Sequence, residues 1–177
     1  RDGAYHRLTV EDGLADNLVK DIYEAEDGDL WLATGRGLSR YNGKTFVNYT
    51  RQDGLVNEDV RRIQPGEDGV LWLATADGLC ALDAHGLVPW SAKDGLKNQD
   101  GGLVQVSAIQ EMPNEGVWLG GGAGIFRCDG EQISQVEQLA GMRGVSDMHR
   151  AADGTMWFGG DGLWKYHRST RSPDAAH

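Results

Sequence analysis

Residues 12–41, DGLADNLVKDIYEAEDGDLWLATGRGLSRY, decide how this chain folds. Residues 19–23 are a short β-branched run bounded by polar residues. Glu26-Asp27-Gly28-Asp29 follows, and Asp-Gly between hydrophobic runs is a strong hairpin signal. Residues 30–34 read as a second strand, Gly35-Arg36-Gly37 as a turn, and residues 38–41 as an alternating third strand. Asn42-Gly43 is another hairpin signal, and residues 45–49 supply a fourth strand. Four short strands joined by tight turns describe an antiparallel meander, the blade of a β-propeller.

The same unit returns three times. Trp31, Trp72, Trp118 and Trp157 follow one another at intervals of 41, 46 and 39 residues. Each lies nine residues after an apolar partner: Ile22, Ile63, Ile109 and Met148. Residues 53–82, DGLVNEDVRRIQPGEDGVLWLATADGLCAL, copy the first unit closely. The third unit keeps Val106, Ile109 and Trp118 but has Asn114-Glu115 in place of Asp-Gly, and its lead-in loop, 97–106, is longer by five residues. The fourth keeps Val145, Met148, Asp153-Gly154, Trp157 and Gly162-Leu163. It lacks Asp-Gly-Leu at its start and has Gly141-Met142-Arg143-Gly144 there. No stretch of helical length shows a 3.6 period, which argues against a helical solenoid. The expected fold is all-β: a β-propeller of four-stranded antiparallel blades in four repeats.

Asp-Gly-Leu begins at Asp12, Asp53 and Asp94, with hydrophobes seven and four residues earlier: Tyr5 and Leu8, Phe46 and Tyr49, Leu87 and Trp90. Residues 5–10 therefore read as an outer strand without a blade of its own. The blades are expected at 14–50, 55–91, 96–136 and 144–167, followed by a polar tail at 168–177. The fourth blade stops before its own outer strand. The N-terminal strand is expected to pair with that blade and close the ring, which removes an exposed sheet edge. Three assemblies fit: a four-bladed ring, a homodimer in which each chain donates its first strand to the other, or part of a longer array. With Arg1 at the start and no leader legible, the chain reads as a processed protein or an excised domain.

The chain has 177 residues, 40% of them hydrophobic and 25% charged, with 26 glycines and 4 prolines. That composition suits a globular domain rich in tight turns. The formal net charge of −10 argues against a nucleic-acid partner, because like charges repel the phosphate backbone. No apolar run is long enough to insert in a membrane. Cys80 and Cys128 do not make a disulfide framework and read as small buried hydrophobes. His6, His85, His149, His167 and His177 share no repeat position and show no metal-ligand spacing. Gly120 to Gly124 are glycine-rich but open no helix, so they do not read as a phosphate loop. No catalytic residue, metal or cofactor is assigned.

The two 30-residue stretches quoted above resemble the two-component regulator propeller repeats, which read roughly as D-G-L, V-x-x-I, D-G, W-[IL]-[AG]-T and G-L. The resemblance extends over residues 1 to 167, more weakly in the third and fourth units. It implies a non-catalytic ligand-sensing propeller, from the extracytoplasmic sensor part of a bacterial two-component signalling protein or from a stand-alone relative, in a periplasmic or extracellular setting. A lyase-type propeller enzyme and a purely structural scaffold are the alternatives.

The regularly spaced tryptophans read as inter-blade packing, whereas Trp90 and Trp164 lie outside the register and read as surface aromatics. Ligand-binding propellers commonly use the loops leading into the innermost strand and those joining the second and third strands. On that face the sequence places Arg36, Asp77, Asn98, Gln99, Asp100, Arg143 and Asp161, a set suited to a small molecule or glycan held near the central channel.

Overall fold

The computed structural model describes residues 5–66, 69–91, 94–97, 101, 104–113 and 115–167. The first sheet contains β1 (Val19–Glu24), β2 (Leu30–Thr34), β3 (Gly37–Tyr41) and β4 (Phe46–Tyr49). The second contains β5 (Val60–Pro65), β6 (Leu71–Thr75), β7 (Gly78–Asp83) and β8 (Gly86–Trp90). The third contains β9 (Val106–Met112), β10 (Gly116–Gly121), β11 (Gly124–Cys128) and β12 (Ile133–Gln135). The fourth has β13 (Asp147–Arg150), β14 (Met156–Gly160) and β15 (Gly162–Tyr166). Every sheet is antiparallel and pairs its strands in chain order. The molecule is thus all-β, with four propeller-like blades.

Alternation along the strands gives each blade two different faces. In the first blade Trp31, Ala33 and Leu38 pack against Ile63, Leu71, Leu73 and Cys80 of the second. Ala74 and Leu79 of the second meet Ile109, Val117, Leu119 and Phe126 of the third. Trp118 and Ile125 of the third meet Met148, Met156 and Phe158 of the fourth. The tryptophan register is therefore a packing register: the Trp face of one blade covers the Ile or Met face of the next. Cys80 and Cys128 are buried, free thiols, and burial pushes the Cys80 thiol up to about 11. Trp90 also belongs to the interior, packed against the core between the second and third blades, which corrects its reading as a surface aromatic. Trp164 is half exposed.

The lead-in turns repeat as closely as the strands. Thr9 and Thr50 each cap a single 3-10 turn, with the carboxylates of Asp12 and Asp53 accepting from the capping backbone at 2.8 Å. Ser91 and Asp94 make the same bond at 2.8 Å. Gly37, with φ of +131°, begins β3 where a Cβ would run into the Tyr49 carbonyl, so no other residue fits that turn. Thr34 and Thr75 are small for a local reason. Their hydroxyls donate to the carbonyls of Gly37 and Gly78 at 2.7 and 2.9 Å and close the β2–β3 and β6–β7 turns.

The expected ring closure is not seen among the described residues. Residues 5–9 take no strand conformation and pair with no strand, and Tyr5 is 95% exposed. The innermost strands of successive blades contact one another in the order β1, β5, β9, β13. Among the described residues the blades thus form an arc without a closing contact, and residues 5–8 do not pair with β15. Exposure records the opening. Ile22 is 62% exposed, while its counterparts Ile63, Ile109 and Met148 are 8%, 8% and 7% exposed. Leu163 is 72% exposed, while Leu38, Leu79 and Ile125 are fully buried.

Candidate functional site

The lead-in loops and the β2–β3-type loops share one end of the blades. The Gly37 amide donates to the Glu58 carbonyl and the Ala76 amide to that of Asp59. At this end Arg36 lies 3.9 Å from Asp16, with its side chain 80% exposed. Asp77 accepts from Asn57 at 2.5 Å and from Arg51 at 3.5 Å. Arg36 and Asp77 thus each have a partner on a lead-in loop, and those loops meet where the Gly37 amide reaches the Glu58 carbonyl beside Asn57. Arg143 and Asp161 are exposed and, among the described residues, have no side-chain partner. Asn98, Gln99 and Asp100 lie outside the described residues.

A charged chain that sequence reasoning missed runs between the first two blades. Lys20 on β1 pairs with Asp59, which also accepts from Arg61 at 3.0 Å. Burial opposes the Asp59 charge, but hydrogen bonds from Lys20 and Arg61 outweigh it and hold the carboxyl below its ordinary value. A signal existed: Lys20 and Arg61 occupy the same repeat position, directly after Val19 and Val60, where the later repeats carry Ser107 and Ser146.

A concavity lies at the opposite end, beside the β1–β2 hairpin. A groove of about 900 Å³ separates the first blade from the second. Its floor is aromatic, from Tyr23, Trp31 and Tyr49, and its rim is charged, from Glu26, Asp27, Arg40 and Asp83. Trp31 and Tyr49 meet at 5.7 Å between ring centroids. Arg40 lies over the Trp31 ring at 5.3 Å and is held by Asp29 at 2.5 Å and Asp27 at 3.1 Å. The Asp29 hydrogen bond raises the Arg40 pKa further, so this cation is permanent.

A homologous groove between the third and fourth blades is only about 250 Å³. The difference is traceable to side chains. The third blade has Met112 where the first has Ala25, and the fourth has Tyr166 where the second has Leu82. Short residues leave the first groove open and long ones fill the other. An aromatic floor with a charged rim can stack one face of a ring and hydrogen-bond its edge.

Residues 13–36 match the family model described as "Two component regulator propeller". That stretch matches a two-component regulator propeller repeat and holds Gly13-Leu14 and Trp31 of the repeat signature. No curated protein matches the chain. Among solved structures the chain is similar to the extracellular domain of a hybrid two component system from B. thetaiotaomicron, at 22% identity and a TM-score of 0.75, covering 97% of this chain and 24% of that one. A one component system from the same organism matches through its extracellular domain at 22% identity and a TM-score of 0.71, covering 88% of this chain and 21% of that one. A catalytically inactive virginiamycin B lyase from Staphylococcus aureus, solved with quinupristin, matches at 18% identity and a TM-score of 0.62, covering 86% of this chain and 56% of that one. The chain spans about a quarter of the first two structures. At these identities the likeness is one of fold.

Proposed function

We propose that this chain, which carries the two-component regulator propeller repeat, is a non-catalytic recognition segment of a bacterial sensor propeller, and that it binds a small molecule or glycan. The groove between the first two blades carries this reading, because it joins an aromatic floor to a charged rim in a concavity large enough for a ring-sized ligand. The working unit is a closed propeller, in which the open ends of this arc are covered. The similarity to extracellular domains of two-component and one-component systems supports an extracytoplasmic setting.

The test is a thermal-shift screen of glycans and metabolites on the chain and on Ala25→Met. The Met variant transplants the residue that narrows the homologous groove, so the architecture already tolerates it. A ligand at 100 times its Kd stabilises the folded state by about 2.7 kcal/mol. The expected result is a hit that raises the melting temperature of the wild type and not that of Ala25→Met. A hit that survives Ala25→Met and is lost in Asp77→Ala moves recognition to the loop end. No hit across a broad panel removes the recognition reading.

A further inference from the structure

We propose that the groove between the first two blades selects a cationic ring compound, one that carries a protonated amine, over its neutral and anionic counterparts. This rests on the reading of that groove as the recognition site and names the charge of its ligand. The groove lies at an internal seam, and both blades that wall it are four-stranded sheets. Among the described residues its lining sets Glu26, Asp27 and Asp83 against a single cation, Arg40.

These charges do not balance. Arg40 bonds Asp29 at 2.5 Å and Asp27 at 3.1 Å, so its charge is already met. Glu26 is exposed and has no partner among the described residues. Asp83 accepts from the His85 and Gly86 amides at 2.7 and 3.1 Å. The His85 ring approaches it only to 3.7 Å and is 93% exposed to water. Two carboxylates therefore line the groove without a fixed counter-ion. A cleft with low-dielectric walls concentrates such a field, and the net charge of −10 on the whole chain adds to it. The groove between the third and fourth blades sets Arg150 and His167 beside Glu115 and Asp153, so the imbalance belongs to the first groove and not to the repeat.

The aromatic floor suits a cation as well. A ring face attracts an ammonium or guanidinium group, and the chain itself uses that attraction at one strand position in two blades. Arg40 lies over Trp31 at 5.3 Å and Lys165 over Trp157 at 5.4 Å, each directly opposite its tryptophan on the neighbouring strand. Arg40 occupies Trp31, which leaves Tyr23 and Tyr49 to meet the ring of a ligand. The ligand's amine is then drawn to Glu26 and Asp83. A ligand carboxylate in the same place is repelled by both, and a hydroxyl gains neither charge.

Matched probes separate charge from shape. Glucosamine, glucose and glucuronate share one ring, as do tryptamine, tryptophol and indole-3-acetate. Titration calorimetry on the whole chain at low ionic strength should rank each series cation, neutral, anion, with the cation about tenfold tighter than the neutral member. Glu26→Gln/Asp83→Asn should remove that preference, and added salt should shrink it because the rim is exposed. The Asp83→Asn change keeps a side-chain oxygen for the two turn amides, so the fold is retained. Ala25→Met should abolish binding of the cation by narrowing the groove. A neutral or anionic member that binds as tightly as the cation, and is still lost in Ala25→Met, overturns the charge preference and leaves the recognition reading standing. A cation preference that survives Glu26→Gln/Asp83→Asn also overturns it, since attraction to an acidic chain would then suffice. If no member of either series binds, the proposal falls, and the broad screen alone decides the recognition reading.

Discussion

At the scale of single residues, the nine-residue spacing between Ile22 and Trp31 holds in every repeat, yet the four apolar partners do not share one environment. Ile63 sits 8% exposed against the first blade, while Ile22 is 62% exposed. Ile63→Ala should therefore cost about 2–5 kcal/mol, because it removes buried methyl groups and leaves a cavity. Ile22→Ala should stay within about 0.5 kcal/mol when the chain is monomeric. Urea unfolding of the two variants checks this, and equal losses would mean that the open face is covered. The repeat position of Ile22 was legible in the sequence, but its exposure was not. Burial at a repeat position depends on whether a neighbouring blade is present, and the residue itself carries no record of that.

At the scale of elements, the blades are joined by more than apolar contact. The Lys20–Asp59 pair ties β1 to the loop entering β5, and Asp21 accepts from the Ile63 amide at 2.9 Å across the same seam. Asp59→Asn should lower stability by about 1 kcal/mol at neutral pH, since the pair is partly exposed and screened. The Asp59 carboxyl is held below its ordinary value, so its stabilising effect is present above the ordinary carboxylate range and is lost as pH falls through its folded pKa. Melts of wild type and Asp59→Asn should differ at pH 7 and converge as the pH falls below the ordinary carboxylate range. A constant difference across that range would place the cost in packing instead. The strands themselves were readable from Asp-Gly turns and alternating residues, because a tight hairpin is a local structure. The seam contacts join residues about 40 apart, and only the stacking of one blade on the next brings them together. The groove is of the same kind: Ala25 and Leu82 are unremarkable until they face each other across two blades.

At the scale of the whole molecule, the open arc sets a gradient of stability, since interior blades pack on both sides and terminal blades on one. In dilute solution the amides of β15, an edge strand with no outer neighbour among the described residues, should exchange faster than those of β7 in the second blade. Hydrogen exchange followed by mass spectrometry reads this directly. Equal protection at all dilutions would mean that the arc is closed within one chain. The sequence by itself determined the blade: four strands, their turns and the alternation of a Trp face with an Ile face all follow from contacts between residues close along the chain. The tertiary structure alone decided that, among the described residues, residues 5–8 find no partner on β15, and that an aromatic groove opens at the hairpin end. Those outcomes depend on the angle accumulated from blade to blade and on side chains facing each other across a seam, neither of which is encoded within a single repeat.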